Sequence, residues 1–219
     1  MKKIKEYKRK WDNYEIGNVK WIDINREHYS RRKFIEYIKK DKIKTIIEVG
    51  GGELIEAQDI LSKGLVDNYS VVDVSDVFLK FAQSINGLKS FRGDMIDIPM
   101  KDKEFDLIYC SSVLEHSPDI RKTISEARRV SRKFYFTMFK WRMKTGGLES
   151  VFRHKKGYFS TEFNIDMLLD LITKYGNIKY LGINGREGGE EVFDEYRKNN
   201  QDIDLNRNGK YLSIQGSWG

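Results

Sequence analysis

Between Thr45 and Ala57 an apolar run, Thr-Ile-Ile-Glu-Val, ends on three consecutive glycines, Gly50, Gly51 and Gly52, and passes into Glu-Leu-Ile-Glu-Ala. A strand that stops on glycines and restarts as an amphipathic helix is a turn built to lie against a ligand. Glycine admits positive φ and leaves no Cβ between the backbone and whatever sits at the carboxyl end of the strand. Charge narrows the choice of ligand. Glu48 and Glu53 flank the glycines, and two carboxylates beside a pyrophosphate would repel it by several kcal/mol in a poorly solvated site. The position where a dinucleotide fingerprint needs its third glycine holds Ile55. A cationic ligand fits better.

Three later segments extend the pattern. Val71-Val72-Asp73-Val74-Ser75-Asp76 closes a second apolar run, with Asp73 standing 25 positions after Glu48, close to the spacing that sets an acid on ribose hydroxyls in a βαβ unit. Phe91-Arg92-Gly93-Asp94-Met95 offers a carboxylate for an adenine amino group and a soft thioether for a purine face. Phe105 to Asp119 reads as a strand opening into a polar loop that contains Ser111, Glu115 and His116. Taken one at a time, a glycine triplet is a simple turn, an acid after a strand is a helix cap and Gly-Asp is a loop. In this order, each at the end of an apolar run, they describe one nucleoside site.

The chain resembles the class I S-adenosylmethionine-dependent methyltransferases of the broad type 11 group. The resemblance rests on Glu48 to Gly52, Val72 to Leu79, Gly93-Asp94 and Phe105 to Asp119. It implies S-adenosylmethionine as cofactor, whose sulfonium and ammonium outnumber its one carboxylate. It also implies that Glu48, Gly50, Gly51, Gly52, Asp73, Val74, Asp94, Met95 and Ser111 bind that cofactor. The glycine loop would take the methionine part, Asp73 the ribose, and Asp94 with Met95 the adenine. In one place the chain departs from the pattern: the third motif glycine is Leu54, whose side chain makes the turn bulkier. His116 lies where the family faces the methyl group and has the side chain suited to a general base. Its competing role is to cap the helix that begins near Pro118. Glu115 would orient His116 or the substrate.

Periodicity predicts helices around 28–40, 53–63, 76–85, 119–130 and 161–175, and strands near 44–49, 69–74, 89–92, 105–110 and 133–139. Asn177 to Ile183 and Lys210 to Gln215 read as closing strands, with a helix from Glu190 to Asn199 between them. The expected fold is α/β: a doubly wound, mostly parallel seven-stranded sheet with an antiparallel closing strand, the Rossmann-like methyltransferase fold. At 219 residues, with no Pro/Ser-rich linker, the chain suits a single domain over 1–219. Within it, 1–40 is a basic, aromatic helical extension, 41–139 the cofactor-binding core, 140–160 a basic substrate-facing loop and 161–219 the rest of the sheet. Trp11, Tyr14, Trp21, Tyr29, Phe34 and Tyr37 of the extension are expected mostly to pack against the sheet. The family's lid role for such a segment is the other expectation. A lone cysteine, Cys110, a charged N-terminus and the lack of any spanning apolar run point to the cytoplasm and away from a membrane. Three scattered histidines and that cysteine give no metal-ligand spacing.

The formal charge of +7 is uneven: +7 over residues 1–40, −7 over 41–120, +10 over 121–156 and −3 over 157–219. An acidic cofactor half suits a net cation. The basic stretch, with Lys140, Arg142, Lys144, Arg153, Lys155 and Lys156 among Phe139, Trp141, Phe152 and Tyr158, suits a small anionic acceptor, or nucleic acid whose bases stack on the aromatics. As a plain solvated loop it would do neither. Three readings follow: methyl transfer to an O or N atom of a small anionic acceptor, RNA methylation, and cofactor binding without catalysis. The sequence is silent on oligomeric state.

Overall fold

The computed structural model describes residues 11–13, 16, 29–138, 141–142, 147–153, 159–183 and 212–219. Helix α1 (Tyr29–Lys40) leads into β1 (Thr45–Val49), and the chain then alternates through α2 (Ile55–Ser62), β2 (Asn68–Asp73), α3 (Asp76–Ala82), β3 (Leu88–Arg92) and β4 (Phe105–Ser111). A single 3-10 turn, Leu114–His116, precedes α4 (Ile120–Val130) and β5 (Ser131–Met138). Beyond β5 come β6 (Trp141–Arg142), β7 (Glu149–Arg153), β8 (Phe159–Asn164), α5 (Ile165–Thr173), β9 (Gly176–Ile183) and β10 (Leu212–Trp218).

Seven strands form one sheet in the order β3-β2-β1-β4-β5-β10-β9. The five from β3 to β5 are parallel, and β10 runs antiparallel to both of its neighbours. This is the expected doubly wound sheet, and β10 is its antiparallel closing strand, inserted between β5 and β9. Central strands covered on both faces must be apolar throughout, and β1, β2 and β4 are buried along nearly their whole length. One face carries a core of Phe34, Tyr37, Ile38, Ala57, Ile60 and Ala82 from α1, α2 and α3. The opposite face is filled by Ile120, Ile124 and Ala127 of α4 and by Leu168 and Ile172 of α5, whose three- and four-residue spacing puts them on one side of each helix.

Two particulars of the insertion explain why it closes. Gly216 leaves room for the Asn177 carbonyl and the Phe134 ring, into which a Cβ would run, and the β9 register slips there between Gln215 and Gly216. Trp218 then packs 4.3 Å from Phe134 and donates its indole N–H to Ser131 Oγ at 3.1 Å.

The structure corrects the expected helix over 161–175. Residues up to Asn164 are strand, and Asn164 caps α5, its side-chain oxygen accepting from Met167 N–H at 3.3 Å. The stretch 140–160, expected as loop, contributes β6, β7 and the start of β8 to a separate three-stranded sheet, order β6-β8-β7. The expected helix from Glu190 to Asn199 lies outside the described residues. Phe34 and Tyr37 do pack as core: Phe34 stacks on Tyr109 with ring centroids 4.0 Å apart. Among the described residues no helix is long and apolar enough to cross a membrane.

Candidate cofactor site

The sheet places the carboxyl ends of β1, β2, β3 and β4 side by side, and β1 sits between β2 and β4. The chain winds outward from β1 to β3 and then returns to start β4, so the crevice expected of such a sheet opens above β1.

The glycine turn fills that position. Gly50 N–H donates to Val72 O at 2.9 Å, carrying the β1–β2 pairing one residue past the strand. Gly50 and Gly52 have φ of +68° and +54°, where a side chain is strained. The three glycines differ in what surrounds them. A Cβ on Gly50 would run into the Val113 methyl, and one on Gly51 into the Leu54 side chain, with the Glu48 carboxyl carbon 3.2 Å away. Above Gly52 there is nothing within 4 Å. Leu54, at the third motif position, holds the left-handed conformation a glycine would take, φ +54°, and its side chain is buried in the core. The bulk expected at this turn therefore points inward, over Gly51. Strain of roughly 1–2 kcal/mol for the backbone is offset by about 1.5–3 kcal/mol for burying a leucine.

Glu48 lies on the inner side of the turn, only 1% exposed. Tyr69 OH donates to its Oε2 at 2.9 Å. Burial pushes its pKa well up, Glu56 and Asp73 push the same way, and the Tyr69 hydrogen bond and the Arg31 charge pull it back. Glu48 thus shapes the turn and its field from below.

Asp73 closes β2 and is also buried. Its Oδ1 accepts from Ser75 N–H at 2.8 Å, and the backbone N–H groups of half-buried Val74 and of Gly52 lie near enough to pull its pKa down. The glycine turn and the acid after β2 thus stand side by side. Burial raises the Asp73 pKa to about 6 against these N–H groups, and Asp12 adds to the rise. Gly93 N–H reaches Asp73 O at 3.2 Å, which sets Asp94 just beyond the neighbouring strand end. Asp94 Oδ1 accepts from Ile96 N–H at 3.1 Å, and burial raises this carboxyl too. Met95 packs against the core beside it.

At the end of β4, Ser111 Oγ accepts from Thr137 Oγ1 at 3.1 Å. Ser112 turns the chain with φ +54°, Val113 meets Gly50, and the 3-10 turn ends on half-buried His116. β8 of the small sheet packs beside this turn. The capping role open to His116 belongs instead to Asp119, whose carboxylate accepts from Arg121 and Lys122 N–H. Glu115 is buried. Cys110 packs at the buried strand end, where burial pushes its thiol pKa up.

Sequence reasoning named Trp11 only among the aromatics of the N-terminal extension, with packing and lid roles both open, and passed over Asp12. Trp11 lies edge-on to the His116 ring at 5.5 Å and 6.0 Å from Phe78, and Asp12 Oδ1 accepts from Asp76 N–H at 3.0 Å. This short N-terminal turn spans from the start of α3 to the loop after β4. His28, His154, Tyr14, Trp21, Phe139, Lys140, Lys144, Lys155, Lys156 and Tyr158 lie outside the described residues.

Residues 47–134 match the methyltransferase-domain family. The uncharacterized protein MJ1123 of Methanocaldococcus jannaschii is 31% identical over 126 residues, 56% of each chain, so the chain spans about half the length of this relative. Among solved structures, PH0226 of Pyrococcus horikoshii has a TM-score of 0.66 at 14% identity, covering 97% of this chain and 98% of that one. A Thermotoga maritima S-adenosylmethionine-dependent methyltransferase has 0.61 at 15%, covering 97% and 98%. At such identities the likeness is one of fold. Residues 47–134 are thus similar to the methyltransferase-domain family, and the chain shares its fold with solved S-adenosylmethionine-dependent methyltransferases.

Proposed function

We propose that the protein transfers the methyl group of S-adenosylmethionine to an oxygen or nitrogen of a small anionic acceptor. The observation that carries this reading is the convergence above β1: an open Gly52 near the buried Asp73 carboxylate, beside a β4 loop whose Val113 rests on Gly50. A Cβ at Gly52 would meet nothing within 4 Å, which leaves this face of the turn open to a ligand.

In this reading Gly50 to Gly52 and Ser111 border the methionine end, with Glu48 setting the field from below. Asp73 and Val74 hold the ribose, and Asp94 with Met95 the adenine. When bound, S-adenosylmethionine supplies a methyl group on a cationic sulfur. The chain's part is to align the acceptor for in-line attack, and proximity alone supplies roughly 7–11 kcal/mol. His116 takes the acceptor's proton at an imidazole nitrogen, worth about 10² to 10⁴ in rate. Trp11, seated on His116 and Phe78, excludes water from the same space. The chain works as one methyltransferase domain in the cytoplasm. The +10 charge of residues 121–156 favours an anion, and RNA is the second reading on the same observation.

Transfer of labelled methyl from S-adenosylmethionine to a panel of carboxylated and phosphorylated metabolites and to generic RNA, at two salt concentrations, tests this. Methylation of a small acid supports it, and salt-sensitive methylation of RNA alone selects the second reading. Cofactor binding with no transfer to any acceptor would leave a binding protein that has lost catalysis.

A further inference from the structure

Helix α4 carries Arg121, Lys122, Arg128 and Arg129, and Arg132 follows at the start of β5. Arg129 is spent inside the protein, on Glu126, Asp102 and the Met100 and Ile98 carbonyls. The other four are exposed. Among the described residues no ion pair reaches Arg121, Lys122 or Arg128. Arg132 has only Asp106, at 3.9 Å, whose carboxylate also takes the Lys44 and Thr45 N–H groups.

Local electrostatics does not account for these cations. Arg121 and Lys122 occupy the first turn, which holds no acid, and face the positive end of the helix dipole. At the other end the dipole favours a cation, but Lys103 already serves it, donating to the Arg128 and Ser131 carbonyls at 2.9 and 3.1 Å. Arg128 and Arg132 crowd that lysine: burial first, and then those two charges, push its pKa down. An external polyanion would relieve the repulsion at both ends. Arg121 and Arg128, seven positions apart, stand on one line of the helix, about 10 Å from each other. Arg128 also lies 5.5 Å from the centre of the Tyr175 ring, which is 37% exposed in the turn between α5 and β9. Planar guanidinium forks grip phosphates, and an exposed ring paired with one is a place for a base to stack. A nucleic acid uses both features, and an acidic polypeptide only the charge. We infer that the outer face of α4, from Arg121 to Arg132 with Lys103 and Tyr175, docks a single-stranded nucleic acid, its phosphates on the cations and a base at the Tyr175–Arg128 pair. Lys103, Arg128 and Arg132 stand by the amino ends of β4 and β5, the opposite edge of the sheet from the crevice. The inference therefore goes beyond the acceptor reading and holds whichever acceptor is methylated.

Fluorescence anisotropy of a labelled oligouridine, titrated with the full chain over a range of salt, tests it, with poly-glutamate of equal charge as competitor. Binding should occur, with log K falling linearly against log salt. Arg128→Gln/Arg132→Gln should weaken it by on the order of 10-fold at about 0.1 M salt and flatten the slope by about 1.4, since each lost phosphate contact removes about 0.7. Tyr175→Leu, which removes a ring but no charge, should weaken it by about 5- to 150-fold, the range of one base stack, with the slope unchanged. An unchanged Tm checks that each variant folds. Arg121→Gln/Lys122→Gln, which relieves the helix dipole, carries the charge test if the first pair unfolds. An unaltered slope in the charge variants would place the contact elsewhere on the chain and overturn the inference. So would wild-type protein that ignores oligouridine, or poly-glutamate that displaces it at equal charge, which would mark the face as one for acidic protein.

Discussion

Gly52→Ala separates the cost of a strained turn from the cost of a blocked site. The methyl group would meet nothing within 4 Å in the protein, and the backbone is held at φ +54°. The stability loss is therefore that of one left-handed alanine, about 1–2 kcal/mol, seen as a drop of a few degrees in Tm for a domain of this size. If the cofactor backs onto this glycine, the same methyl overpacks the bound state by a further ~1–3 kcal/mol, which is about 5- to 150-fold in affinity. Calorimetric titration with S-adenosylhomocysteine, run well below the Tm of the variant, reads the second term without the first. Gly50→Ala is the contrast, because its Cβ runs into Val113 in the protein itself, so its stability should fall further. A Gly52→Ala protein that loses its few degrees yet binds as tightly as wild type would show that no ligand approaches the turn, and the reasoning would fail.

Other outcomes follow from the same geometry. Asp73, raised from 3.8 to about 6, favours the folded state while protonated. Its contribution is full below pH 3.8 and is lost as pH rises through 6, about 3 kcal/mol in all, so Asp73→Asn should flatten the stability profile across that window in denaturant titrations. Cofactor affinity should run the opposite way, falling as pH drops below about 6 because ribose hydroxyls donate to the ionised carboxylate, and Asp73→Asn should abolish the slope. Leu54→Gly should relieve about 1–2 kcal/mol of backbone strain but forfeit the buried side chain and leave a cavity, together about 2–5 kcal/mol, leaving the protein less stable; a gain in urea midpoint would contradict that balance. His116→Ala should slow turnover by about 10² or more with little change in S-adenosylhomocysteine affinity, and unchanged turnover would remove His116 from the proton-transfer role.

β1, β2 and β4 were legible because each is local: an apolar run buried along nearly its whole length. Asp73 could be picked out by spacing alone, and its burial and its bond from Ser75 N–H then came from geometry. What stayed hidden depends on contacts between distant positions. Gly50 is glycine partly because Val113 presses on it, and Asp12 reaches Asp76 across 64 positions. Leu54 read as an obstruction because composition cannot show which way a side chain leaves a left-handed residue. The helix expected from 161 began instead at Ile165: Phe163 is buried in either phase, and the Asn164 cap decides the boundary. β10 closes the sheet by insertion between β5 and β9, where Gly216 and Trp218 meet Phe134, a contact that no local pattern announces.

The claim on which the rest stands is that the acid-flanked crevice above β1 takes a cationic sulfur nucleoside and not a diphosphate. Isothermal titration of the folded protein with S-adenosylmethionine, S-adenosylhomocysteine and NAD decides it directly. Saturable heat with the first two and none with NAD is the predicted result. Heat with NAD alone would contradict the account at its root.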